Sequence, residues 1–179
     1  GNHGSGQLGN GHATYQTAPR LVAGLAAVTE LVAGSHHSYA RLADGSVYGW
    51  GQDAAGQLGD GKVSSVHSLV QPVVGLPPGV EQVVAGAFHG CARLQDGSVR
   101  CWGENKFGQL GRGNITDAEP VPAPVVALPP VTSLQAGIQW TCALDTAGTP
   151  WCWGDNTIKI TPPGTAFVSA VPKALPALG

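Results

Sequence analysis

Four cysteines are the side chains of this 179-residue sequence whose spacing points most directly to chemistry. Cys91 and Cys101 lie ten residues apart, as do Cys142 and Cys152, and each pair brackets a short glycine-bearing turn. Thiols placed this way support three readings: a disulfide across a hairpin, two reduced thiols in a core, or part of a metal site. Cysteine zinc sites favour close C-x-x-C spacings, which these pairs lack. Slid back by 52 residues, Cys91 and Cys101 fall on Tyr39 and Gly49. Both cysteines are present or both are absent, as a bonded pair requires. Disulfides persist in oxidising compartments, so the expectation is an extracellular or cell-surface setting.

The remaining candidates for chemistry point away from catalysis. His37 and His89 recur at one register of a repeated unit, but the third copy carries Trp140 there, so a metal-binding ring of histidines is not expected; a hydrogen-bonding role within each unit is. His3, His12, His36 and His67 share no spacing and are expected on solvated loops. The sequence contains no G-x-S-x-G, H-E-x-x-H, P-loop or dinucleotide fingerprint, and Asp and Glu total only 11. No enzyme activity, cofactor or metal is therefore expected. Charged residues make up 11% of the chain and the net charge is -2, which argues against nucleic acid, because phosphate contacts need clustered Lys and Arg. No apolar run approaches the roughly 18 residues that span a membrane.

The elements that would position these side chains repeat. GAFHGCARLQDGSVRCWGENKFGQLG from Gly86 aligns with GSHHSYARLADGSVYGWGQDAAGQLG from Gly34 and with GIQWTCALDTAGTPWCWGDN from Gly137. The units are residues 34–85, 86–136 and a degenerate 137–179, preceded by a partial unit over 1–33. Periods near 50 with strand-like content indicate propeller blades or a related solenoid. Strands are expected to end at Ala33, Ala85 and Ala136, each before a glycine expected to need a backbone conformation hindered for other residues. A hairpin follows, turning at Asp44-Gly45, Asp96-Gly97 and Ala147-Gly148. A three-residue loop with a left-handed glycine would place Cys91 opposite Cys101. The G-Q-L-G segments read as turns with Leu58 and Leu110 as small anchors, and the proline-bearing segments after them as a blade's outer strand or its approach. The third unit lacks G-Q-L-G and its blade is expected to be irregular.

The pattern G-x-x-H-x-x-A-x-L-x-D-G-x-V-x-x-W-G-x-x-x-x-G-Q-L-G resembles the regulator of chromosome condensation (RCC1) repeat, and the resemblance covers essentially the whole chain. It implies an all-β, partial β-propeller of four-stranded blades, about three and a half blades of a seven-bladed ring. The rest of the ring would come from a longer parent chain or a second copy. Trp50, Trp102 and Trp153, one per unit, would pack within or between blades. Family precedents include a nucleotide-exchange factor for a small GTPase that docks on chromatin, and secreted bacterial propellers that inhibit β-lactamases through rim loops. The cysteine pairs favour the second, bacterial and extracellular, context.

Within the repeated frame some positions change from unit to unit: Ser35-His36, Ala87-Phe88 and Ile138-Gln139 before the recurring His or Trp140, and Gln52-Asp53, Glu104-Asn105 and Asp155-Asn156 after each W-G. Hairpin pairing puts both sets at one end of the blade, where they would form a protein-binding rim with Phe88 and Trp140 as anchors. The function expected is a non-catalytic protein-binding scaffold. The alternatives are spacer repeats in a large surface protein and exchange-factor activity.

Overall fold

The computed structural model describes residues 4–12, 16–157 and 168–175. Among these residues, twelve strands form three four-stranded antiparallel sheets. The first comprises β1 (Val28–Ala33), β2 (His37–Leu42), β3 (Val47–Gln52) and β4 (Val66–Pro72). The second comprises β5 (Val80–Ala85), β6 (His89–Leu94), β7 (Val99–Asn105) and β8 (Thr116–Pro124). The third comprises β9 (Val131–Ala136), β10 (Trp140–Asp145), β11 (Pro150–Asp155) and β12 (Val168–Ala174). Strands follow sequence order in every sheet, the up-and-down meander of a propeller blade. No helix occurs among the described residues.

Register repeats from sheet to sheet. His37 faces Gly51, His89 faces Gly103 and Trp140 faces Gly154, while Cys91 faces Cys101 and Cys142 faces Cys152 as the turn chemistry predicts. The turn glycines Gly45, Gly97 and Gly148 are left-handed at φ 83°, 79° and 82°. Each third-to-fourth strand pairing is interrupted at the tryptophan, between Gly49 and Gly51, Cys101 and Gly103, and Cys152 and Gly154. A bulge there re-aims the indole, and the glycine after it takes a positive φ that a side chain resists. The W-G dipeptide is thus one structural device.

Glycines 34, 86 and 137 do not behave as expected. None has a positive φ. A Cβ on Gly34 would collide with the His37 ring and stand 2.5 Å from the carbonyl oxygen of Gly86, and one on Gly86 would meet the His89 ring and the Gly137 carbonyl at 2.6 Å. Close packing between neighbouring units, rather than backbone conformation, demands glycine here.

The core lies between sheets. Tyr39, Val47, Val83, Leu94 and Trp102 fill the space between the first and second, and Cys91, Cys101, Leu110, Leu134 and Trp153 that between the second and third. β5 packs on β1 and β2, and β9 on β5 and β6, so the first strands lie innermost. Proline falls in the last strand of every sheet, as Pro72, Pro120, Pro122, Pro124 and Pro172, where a missing N–H is tolerated. β12 completes an ordinary third sheet, whereas the degenerate connector over residues 158–167 lies outside the described residues.

Candidate protein-binding rim

The rim residues occupy one end of the array because the two loops that carry them are bonded together. Gln52 N donates to His36 O at 2.9 Å, Glu104 N to Phe88 O at 2.8 Å and Asp155 N to Gln139 O at 2.9 Å. Ser35, His36 and Ile138 are exposed there, Ile138 at 68%. Gln52, Phe88, Glu104 and Gln139 are half-buried. The His36 and Phe88 rings, from successive units, lie nearly parallel at 9° with centroids 6.4 Å apart. Glu104 accepts a 3.1 Å bond from Gln109 Nε2, and partial burial raises its carboxyl above the usual range.

Five expected rim residues do not present themselves as expected. Ala87 and Asn156 are buried. Asp53 and Asn105 are fully buried and organise the following loop: Leu58 N donates to Asp53 Oδ1 at 3.0 Å, and Leu110 N to Asn105 Oδ1 at 3.2 Å. Trp140 is half-buried, with its indole lying over Gly137 in the register that His37 and His89 hold elsewhere. Phe88, also half-buried, keeps a partial face on the rim; Trp140 is a packing residue first.

The G-Q-L-G segments form turns as expected, and they are also latches between units. The Gln carbonyl accepts the indole N–H of the next sheet: Trp50 Nε1 to Gln7 O at 2.9 Å, Trp102 Nε1 to Gln57 O at 3.0 Å, and Trp153 Nε1 to Gln109 O at 2.8 Å. Its side chain caps its own turn, accepting from Ser5 N, Ala55 N and Phe107 N. Leu58 and Leu110 are wholly buried. The glycine after the leucine, left-handed at φ 66°, 70° and 65° in Gly9, Gly59 and Gly111, lies so close under the indole that a Cβ would stand 2.8–2.9 Å from Nε1. A further glycine N–H bonds the next outer strand, Gly11 to Ser68 O, Gly61 to Pro120 O and Gly113 to Ala170 O. Sequence reasoning found these residues but not their partners, which lie some 45 positions away.

Of the two recurring histidines, His89 reaches across units instead of bonding within its own, whereas neither ring nitrogen of His37 has a hydrogen-bond partner among the described residues. His89 Nε2 lies 3.0 Å from Thr141 Oγ1 of the third sheet. Burial lowers the pKa of His89 to about 4; it lowers that of His37 to about 3, helped by the charges of His89 and His36. His67 is not on a solvated loop but on β4, 3.9 Å from Asp53 Oδ2 and 3.7 Å from Asp60 Oδ2. His12 is exposed, and His3 lies outside the described residues.

Both cysteine pairs are disulfide-bonded, with Cα atoms 4.1 Å apart in each. Cys91–Cys101 lies in the core between the second and third sheets. Its counterpart one unit earlier is the Tyr39 ring lying over Gly49, where a Cβ would stand 3.2 Å from the ring. The Tyr39 hydroxyl donates to Gln57 O and accepts from Trp102 Nε1 at 3.1 Å. The room for that hydroxyl comes from Gly90, where a Cβ would stand 2.5 Å from it. In the third unit Thr141, at the register of Gly90, supplies its own hydroxyl to Gln109 O at 3.0 Å.

Repeated four-stranded sheets latched edge to edge around an inner set of first strands define a β-propeller blade array. Models of the regulator of chromosome condensation (RCC1) repeat match residues 1–41, 44–93 and 96–144, and a second model of that repeat matches 28–57 and 80–109. The chain belongs to this repeat family. It is 32% identical over 162 residues to the human probable E3 ubiquitin-protein ligase HERC6, covering 88% of this chain and 16% of that protein. It is 35% identical over 131 residues to human protein RCC2 (71% and 25%) and 31% over 155 residues to the Arabidopsis thaliana ultraviolet-B receptor UVR8 (83% and 35%). The chain thus spans about a third or less of these relatives. The yeast Prp20 structure superposes with a TM-score of 0.83 at 21% identity, covering 96% of this chain and 44% of that one. Human WBSCR16 superposes at 0.79 and 24%, covering 98% and 46%. The relatives differ in activity, so the shared repeat defines a scaffold rather than one reaction.

Proposed function

We propose that this chain is a non-catalytic protein-binding scaffold that holds its partner through the rim carrying Ser35, His36, Gln52, Phe88, Glu104, Ile138 and Gln139. The observation that carries this reading is the bonded pairing of the two loops at each blade end. It holds three different side-chain sets at one fixed spacing and leaves His36, Phe88 and Ile138 as a partly apolar ledge. Rigid frames that vary only in their loops are a common way to build recognition surfaces. One structural neighbour is yeast Prp20 in complex with Kap60, and Prp20 has binding properties towards Gsp1p and histones, which makes protein partners the natural class here. The two disulfides favour an extracellular or cell-surface setting. Further blades, from a longer chain or a second copy, would complete the ring.

The test is a cross-linking capture run side by side with wild type, a Phe88→Ala/Ile138→Asp rim variant, and an Asp96→Asn variant at the hairpin-turn end. The same protein lost by the rim variant and kept by the turn variant supports the reading. Equal capture by all three, or none by any, leaves a spacer role instead.

A further inference from the structure

The loop between β3 and β4, with the start of β4, gathers three metal-ligating side chains, of which only Asp53 also holds the latch loop, through its other oxygen. One oxygen each of Asp53 and Asp60 and a ring nitrogen of His67 all lie within 4.8 Å of one another. His67 Nε2 stands 3.9 Å from Asp53 Oδ2 and 3.7 Å from Asp60 Oδ2. Atoms each about 2.0–2.2 Å from a shared zinc-sized ion stand roughly 3–4 Å apart, so little movement would bring all three onto one centre. The site is largely enclosed: the Asp53 side chain has no exposed surface, that of Asp60 7% and that of His67 24%. Ser64 Oγ bonds both Asp53 Oδ2 and His67 Nε2 at 2.8 Å, spanning two of the three ligands.

The second unit shows what this frame asks for. Shifted by 52 residues, Asp53, Asp60, Ser64 and His67 become Asn105, Arg112, Thr116 and Glu119. The registers agree, His67 facing Gly51 as Glu119 faces Gly103. There a cation is built in: the Arg112 guanidinium pairs with Glu119 at 3.3 Å and donates to Cys101 O and, at 2.7 Å, to Val121 O. Asn105 meanwhile donates to Thr116 Oγ1 at 3.2 Å. The second unit's set is formally neutral, one arginine against one glutamate. The first unit replaces the arginine with a second carboxylate, giving two acids against one imidazole in a nearly closed site. Enclosed like charges are costly unless a cation compensates them.

We infer that Asp53, Asp60 and His67 bind one divalent cation of the zinc class, which takes in the first unit the place that the Arg112 guanidinium holds in the second. Two carboxylates and one imidazole suit zinc, cobalt(II) or nickel(II) better than magnesium or calcium, which seek six or more oxygens. With three protein ligands, water or Ser64 Oγ completes the shell. Asp53 also accepts from Leu58 N, in the loop whose Gln57 carbonyl receives Trp102, so the ion would brace the latch between the first two sheets.

The test is titration of the whole disulfide-bonded chain with Co2+ or Zn2+, followed by calorimetry and by the visible absorption of cobalt. One ion per chain is expected, undisplaced by millimolar Mg2+ or Ca2+ and raising the melting temperature. Asp60→Asn and His67→Ala should each weaken binding at least tenfold, while His36→Ala and His12→Ala leave it unchanged. A variant carrying the second unit's set, Asp53→Asn/Asp60→Arg/His67→Glu, should fold without metal, bind none and gain no stability from it. Unaltered affinity in Asp60→Asn and His67→Ala, or no saturable uptake by the wild type, overturns the inference.

Discussion

The indole N–H of Trp102 donates to the carbonyl of Gln57 at 3.0 Å across the seam between the first and second sheets. Gly59 lies beneath the same indole in a left-handed conformation, φ 70°. Trp102→Phe keeps most of the apolar volume and removes the donor, leaving a buried carbonyl with one partner fewer; a loss of about 1–2 kcal/mol is expected. Gly59→Ala strains the backbone and also drives a Cβ to 2.8 Å from Trp102 Nε1, so it should cost more, roughly 2–4 kcal/mol. Denaturant unfolding of both variants checks the order. Trp102→Phe costing more than Gly59→Ala would contradict the latch as described.

Removing the disulfides separates covalent from packing effects. Each closes a loop ten residues apart in sequence, worth about 2–3 kcal/mol on chain-entropy grounds. Alkylation of the folded, unreduced protein should label no cysteine, and after reduction under denaturing conditions it should label four. Cys91→Ala/Cys101→Ala should be the more damaging of the two paired replacements, because that pair fills the core between two sheets. Free thiols in the unreduced chain would also remove the case for an oxidising compartment.

The exchange of Tyr39 and Gly49 for a cystine can be reversed. Tyr39 and Gly49 are directly opposed in register, as Cys91 and Cys101 are. Tyr39→Cys/Gly49→Cys should close a third disulfide, yet lose the tyrosine hydroxyl that serves Gln57 O. Adding Gly90→Thr, which restores a hydroxyl as Thr141 does for Gln109, should recover stability relative to the double variant. In the wild-type background Gly90→Thr alone should destabilise, because its side chain would collide with Tyr39. Thermal melts of the three variants, with and without reductant, read out both effects.

Acid should loosen the array before it protonates most carboxylates. His37 and His89 are buried neutral, with pKa values lowered to about 3 and about 4 from an ordinary 6.5. The unfolded chain therefore binds more protons than the folded one below about pH 6.5, and stability falls as pH drops through that range towards 4 and then 3. Above pH 6.5 this contribution is constant. Each histidine contributes at most about 1.4 kcal/mol per pH unit. His89→Gln should flatten the dependence between pH 6 and 4; an unchanged slope would mean that the ring titrates freely in the fold.

Much of the architecture was legible in the residues themselves. Asp-Gly and Ala-Gly turns between strand-forming runs set the hairpin register, and that register places Cys91 against Cys101. The repeat period gave the blade, and the prolines marked its outer strand, because these signals are local or exactly periodic. What escaped was which residues meet across units and across loops. Gln57 and Trp102, Gly34 and Gly86, and Asp60 and His67 each meet only once sheets or loops have packed, and no spacing within one unit announces them. Burial was the other blind spot: Asp53 and Asn105 read as rim residues because they are polar and follow a strand. Only the closed loop shows their side chains turned inward to hold the backbone N–H groups of Leu58 and Leu110, since hydrogen-bond satisfaction inside a fold depends on where neighbouring segments come to rest.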